Sequence, residues 1–238
     1  MKPTTALTLL FLTAIPATAQ TEIIEKAKDS DIKFGLEGLT TWRSEYIYRG
    51  FSLANQSLGF QLAGQVALSN TTTIDIGLHH DTATSDGDFS ETGIYIDFAK
   101  NIGDLTYTTT LNLRDYTNST IFRSGADFGG NVKWAYNDTF DFTAQLSYDT
   151  GATGFYGELK ASAYKNISLD SYILFSTHLG ITSSYYGRTG LHQFQSKLEY
   201  VYNINDNVSI SPYIGTSIGI HDEAPDSIYS GLYFAVNF

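Results

Sequence analysis

The stretch Ser230-Gly231-Leu232-Tyr233-Phe234-Ala235-Val236-Asn237-Phe238 decides how the rest of this chain is read. Leu232, Phe234, Val236 and Phe238 fall at every second position, with Tyr233 and Asn237 between them. A period of two describes a strand with two unlike faces. An apolar face that runs on to a phenylalanine at the end of the chain meets no need of a water-soluble domain. It suits the closing strand of a transmembrane β-barrel, which pairs with the first strand and turns one face to lipid.

Upstream, the same period recurs and no helical period is sustained. Twelve segments alternate, at about 33–49, 57–69, 72–83, 91–100, 105–115, 125–136, 139–149, 154–165, 169–184, 191–203, 207–220 and 227–238. In the eleventh, Val208, Ile210, Pro212, Ile214, Ile218 and Ile220 oppose Ser209, Ser211, Tyr213, Gly215, Ser217 and Gly219. In the seventh, Phe140, Phe142, Leu146 and Tyr148 oppose Asp141, Thr143, Gln145 and Ser147. Aromatic residues gather at the ends of the apolar faces: Trp42, Tyr46, Tyr48, Trp134, Tyr136, Tyr148 and Tyr202. They are expected to form interface girdles. The predicted lipid-facing set includes Phe60, Leu62, Val66, Phe142, Leu198, Ile210, Ile214 and Phe234.

The connections alternate too. Short, turn-forming pieces (69–71, 101–104, 137–138, 166–168, 203–206) interleave with generally longer ones (50–56, 84–90, 116–124, 150–153, 185–190, 221–226). Short periplasmic turns and longer external loops are the habit of outer-membrane barrels. The fold class expected is therefore all-β: one antiparallel up-and-down transmembrane barrel of about 12 strands over residues 33–238. A soluble lipocalin-like barrel or sandwich also alternates, but needs neither the girdles nor so many long strands.

At the other end, Lys2, the apolar run Leu7 to Ile15 and Ala17-Thr18-Ala19 read as a signal peptide over residues 1–19. Residues 20–32 read as a charged periplasmic extension. The chain has no cysteine, so disulfides contribute nothing. A formal charge of −11 argues against nucleic acid as a partner.

The ending, with Gly231 and Phe234 in Gly-x-x-aromatic spacing, resembles the C-terminal signal of bacterial outer-membrane proteins. Ser44-Glu45-Tyr46-Ile47-Tyr48-Arg49-Gly50-Phe51-Ser52, followed by Gln56-Ser57-Leu58-Gly59-Phe60-Gln61, resembles the first hairpin of the TorF-like porin family of Proteobacteria. Gly93 to Tyr116, turning at Asn101-Ile102-Gly103-Asp104-Leu105, is similar to that family's middle hairpin. The resemblance implies a porin-like protein of the bacterial cell outer membrane. The partners expected are outer-membrane lipid and lipopolysaccharide, the barrel-assembly machinery through the C-terminal strand, and small solutes.

The inward faces carry the chemistry. Arg43, Arg114, Lys133, Lys160 and Lys197 stand against Glu37, Glu45, Asp75, Asp97, Asp127, Asp141, Glu158 and Glu199. Excess carboxylates along a confined path favour cations. The expectation is a passive channel for small hydrophilic solutes with a modest cation preference. The alternatives are a plugged structural or adhesive barrel and an outer-membrane lipid hydrolase. No catalytic set is assigned: His79-His80-Asp81 is followed by Thr82-Ala83-Thr84-Ser85 without the Ser-Asn-Gly element of outer-membrane deacylases. His178 stands alone on its face. No cofactor or metal site is assigned either, since His79 and Asp81 lack a third ligand and the acidic loop 85–91 lacks calcium-loop spacing. Arg49, Arg123 and Arg188 are expected near the external strand ends, where they can meet lipopolysaccharide phosphates.

Overall fold

The computed structural model describes residues 33–85, 87–220 and 226–238. The predicted signal peptide and the extension 20–32 lie outside the described residues. Fourteen strands follow in order: β1 (Lys33–Arg43), β2 (Tyr46–Tyr48), β3 (Phe51–Ala54), β4 (Ser57–Ser69), β5 (Thr72–Ala83), β6 (Ser90–Ile102), β7 (Leu105–Thr117), β8 (Gly125–Ala135), β9 (Phe140–Asp149), β10 (Gly154–Asn166), β11 (Ser171–Tyr185), β12 (Arg188–Asn205), β13 (Val208–Gly219) and β14 (Ser227–Asn237). Twelve of them close into an antiparallel barrel; β2 and β3 form a separate two-stranded hairpin. Each barrel strand is long enough to cross a hydrocarbon layer, which takes about 9–11 tilted residues.

The seam joins β1 to β14, with Glu37 opposite Asn237, Thr40 opposite Phe234 and Arg43 opposite Gly231. Phe238 continues it: its amide donates to the Leu36 carbonyl at 2.9 Å, and the Leu36 amide donates back at 3.4 Å. Closure leaves no edge strand, so the backbone polar groups are satisfied within the wall.

The faces are the reverse of those of a water-soluble fold. Phe60, Leu78, Ile94, Leu146, Leu159 and Ile214 are more than half exposed. Glu37, Asp75, Asp97, Lys133 and Glu199 are buried inside. In the predicted lipid-facing set, Leu62, Phe142, Leu198 and Phe234 are exposed as well, while Val66 and Ile210 are partly covered. An apolar belt this continuous is stable against lipid and a liability in water.

Two expectations about the strands are corrected. The first segment does not run unbroken over 33–49: the barrel strand stops at Arg43, and residues 46–48 turn away into the β2–β3 hairpin. Arg49 (φ 50°) and Gly50 (φ 77°) make its two-residue turn, and successive positive φ values suit a tight hairpin. Tyr46 and Tyr48 therefore leave the girdle for the interior. Trp42, Trp134, Tyr136 and Tyr202 stay exposed on the barrel, and Tyr148 is half-buried against Phe155. The second correction concerns the loop expected over 185–190. Tyr185 pairs with Arg188 around a two-residue turn in which Tyr186 (φ 48°) and Gly187 (φ 80°) are left-handed. The strands extend this far because Tyr185 and Arg188 both find buried partners within.

Candidate functional site

The interior at the loop end is built around the β2–β3 hairpin. It departs from β1 and lies across the barrel mouth. In the ring of strands β9 stands six places from β1 in either direction, so it is the opposite wall. Arg49, at the hairpin tip, reaches that wall. It pairs with Asp127 on β8 and donates to Ser147 Oγ on β9 (2.9 Å) and to the Tyr185 hydroxyl on β11 (2.9 Å). Asp149 lies 3.9 Å from the same guanidinium. The Tyr156 ring of β10 lies 4.7 Å from its centre. Four strands thus share one cation. Gly50 beside it is required twice: by its φ, and because a Cβ there would run into the side chains of Gln193 and His192.

Aromatic packing seats the rest of the hairpin. Phe51 meets Phe122 edge-on with centroids 5.2 Å apart, and the Arg188 guanidinium sits 3.8 Å over its ring. The Tyr46 hydroxyl donates to Glu91 (2.8 Å), and the Arg43 guanidinium stacks on the Tyr46 ring at 4.6 Å. At the hairpin base, Glu45 accepts from Ser52 (2.5 Å) and from Ser227. Phe89 of the second loop packs on Tyr46.

Ion pairs neutralise most of the charge at this level. Arg43 pairs with Asp81, and Arg114 with Glu91 (3.0 Å). His79 Nε2 also meets Glu91 (3.1 Å), whereas His80 faces outward to Thr92 (2.8 Å). Glu91 is therefore an interior residue rather than part of a solvated acidic loop; Asp86 of that loop lies outside the described residues. Arg49 and Arg188 are buried, which corrects their expected place at the outer surface. Arg123 remains exposed.

Beneath the hairpin lies a cavity of about 300 Å³. Of the residues predicted to face the lumen, Arg43, Glu45, Arg114, Asp127, Glu158, Lys160, Lys197 and Glu199 line it. Lys197 bonds Glu199 (2.9 Å) and sits 5.2 Å from both the Tyr213 and Tyr233 rings. Glu158 accepts from the Tyr156 hydroxyl (3.0 Å), and His178 bonds Gln195 (2.7 Å). Asp75, Asp97, Lys133 and Asp141 are buried toward the turn end, outside this cavity. Lys133 pairs with Asp141 at 3.2 Å. Arg49, Glu91, Asp149 and Arg188 are interior charges missing from the inward-face reading, which does place Asp81 there beside His79. Parity along the strands was enough to place Asp81, Glu91 and Asp149. Arg49 needed the turn signal Arg-Gly to be read as an inward hairpin.

No protein-family model matches the chain, and neither does any curated protein. Solved structures do share its fold. It is similar to the KdgM porin at 8% identity, covering 86% of this chain and 99% of that one, with a TM-score of 0.57. The COG4313 outer membrane channel from Pseudomonas putida F1 aligns at 6% identity over 86% and 95% of the two chains, with a TM-score of 0.58. LpxR from Salmonella typhimurium aligns at 9% identity over 85% and 99%, also with a TM-score of 0.58. At such identities the likeness is one of fold.

Proposed function

We propose that this chain is an outer-membrane channel for small hydrophilic solutes, narrowed at its external mouth by the β2–β3 hairpin and modestly selective for cations. The observation that carries this reading is a cavity of about 300 Å³, lined by charged side chains among its tyrosines, inside a closed barrel with a lipid-compatible exterior. Barrels closed around side chains alone have no need of such a space. The fold shared with porins and an outer-membrane channel supports the same reading, as does the resemblance to the TorF-like porins in the first hairpin.

Ion pairing supports the cation preference better than a charge count does. At the mouth, Asp81, Glu91 and Asp127 each have an arginine. Glu37, Asp75 and Asp97 have no lysine or arginine within 4.0 Å among the residues whose side chains are described. Uncompensated carboxylates between low-dielectric walls attract cations. In planar bilayers under a salt gradient, the purified barrel is expected to show a reversal potential of cation-selective sign that weakens at high salt. The triple variant E37Q/D75N/D97N is expected to shift it toward zero. An anion-selective potential would contradict the preference and place the constriction at Arg43, Lys160 and Lys197.

The pinned hairpin itself favours a second reading, a plugged barrel acting through its loops. Conductance in one case and its absence in the other separate the two.

A further inference from the structure

The cavity beneath the hairpin has an aromatic wall facing an amide wall. On β13 and β14, Tyr213 is the register partner of Gly231, and Tyr229 of Gly215. Each ring leans over its glycine, where a Cβ would collide with it. The missing side chain is what lets the ring settle against the barrel wall. Tyr233 stacks on Tyr213, with centroids 4.8 Å apart and 23° between the planes. Tyr229 meets Tyr213 edge-on at 6.2 Å. The three rings line the cavity and give it one corner of aromatic surface. In the ring of strands β7 and β8 stand six places from β13 and β14, so they are the opposite wall. There Asn112 on β7 and Asn131 on β8 line the same cavity. They are 1% and 8% exposed, and the side-chain oxygen of each has no hydrogen-bond partner among the described residues.

The charges around this space are matched. Arg43, Arg49, Arg114 and Lys197 line it, and each holds a carboxylate. Lys197 also lies 5.2 Å from the Tyr213 and Tyr233 rings, so the place a cation would take on those two rings is already filled. An anion would meet the orphaned acceptors of Asn112 and Asn131 on the far side. The ligand that fits is uncharged, with an apolar face for the rings and donors for the amides. A pyranose has both. The C–H groups on its ring face are drawn to the negative face of an aromatic ring. Its hydroxyls each donate to one partner and accept from another. The volume of about 300 Å³ is at the lower end for small-molecule pockets and suits one ring rather than a chain. We infer that Tyr213, Tyr229 and Tyr233, with Asn112 and Asn131 across the lumen, form a binding site for a single uncharged pyranose. The inference deepens the channel reading and rests on it for the route by which the sugar enters.

Saturation-transfer nuclear magnetic resonance tests this on the folded full-length barrel, in micelles of a detergent without a sugar headgroup. The probes are methyl β-D-glucopyranoside and methyl β-D-galactopyranoside. Transfer from the aromatic protons of the protein to the ring protons of at least one glycoside is expected. Mannitol, with the hydroxyls but no ring, and glucuronate, with a charge, are expected to receive little. Tyr213→Leu is expected to weaken binding about 2- to 10-fold, the worth of an aromatic contact. Tyr229→Leu leaves the Tyr213–Tyr233 stack intact, is expected to weaken binding in the same direction, and serves if the first variant does not fold. No transfer to either glycoside, equal or greater transfer to mannitol or glucuronate, or transfer unchanged in these variants would overturn the site. Planar-bilayer conductance keeps the two readings apart: conductance without transfer removes the sugar site and leaves the channel, whereas transfer without conductance keeps the site and removes the channel.

Discussion

Arg49 donates to three side chains on three strands from a backbone that is itself left-handed, so its position is set by the hairpin and its charge by the opposite wall. Both it and Asp127 are buried, with side chains 7% and 9% exposed. Removing one member of such a pair strands the other away from water. R49M is expected to destabilise the refolded barrel by about 3–5 kcal/mol, read from urea unfolding. R49M/D127L is expected to recover most of that loss, because Asp127 is no longer stranded and Asp149 keeps the bonds it accepts from the Tyr185 hydroxyl and the Gly151 and Ala152 amides. Equal losses in the two variants would mean the pair does not hold the hairpin. At this scale the sequence was only partly legible. Alternation placed Arg43, Asp75, Asp97 and Lys197 inside, because parity along a strand fixes the face. It said nothing about partners, so the sorting of the interior into paired charges at the mouth and unpaired carboxylates below came only with the barrel closed.

Among the elements, β13 is the clearest case of pattern becoming structure. Ile214 is 53% exposed on the lipid face and Ser217 is 2% exposed on the inner one. Ile214→Arg is expected to cost about 2–4 kcal/mol near the bilayer midplane and to lower the yield of folded barrel. Ser217→Arg, facing the polar interior, is expected to cost less. Comparable yields would reverse the assigned faces. The first segment was harder to read. Trp42, Tyr46 and Tyr48 share one parity, so the period-two signal runs straight through the bend at Ser44 and Glu45. An aromatic residue suits a membrane interface and a packed interior equally well, and only contacts such as Tyr46 with Glu91 decide between them. The alternation of short turns and longer loops holds except at 50–56, which contain β3, and at 185–190, where inward partners for Tyr185 and Arg188 draw the strands out to a two-residue turn; residues 221–225 lie outside the described residues.

On the scale of the whole molecule, a twelve-stranded barrel has a backbone cylinder roughly 24 Å across, and side chains from its wall fill much of it. The cavity of about 300 Å³ lies beneath the hairpin, so on the channel reading the hairpin sets the size of the path through the mouth. Arg43 and Ser57 are register partners at the ends of β1 and β4. Residues 44–56 can therefore be replaced by a two-residue Asn-Gly turn without disturbing the wall. Single-channel conductance of the intact barrel and of this hairpin-less form, in the same bilayer and salt, tests the central claim most directly. The intact protein is expected to give small, discrete steps and the shortened one distinctly larger steps. Identical steps in both forms, or no conductance from either well-folded protein, would contradict a channel narrowed by its first hairpin.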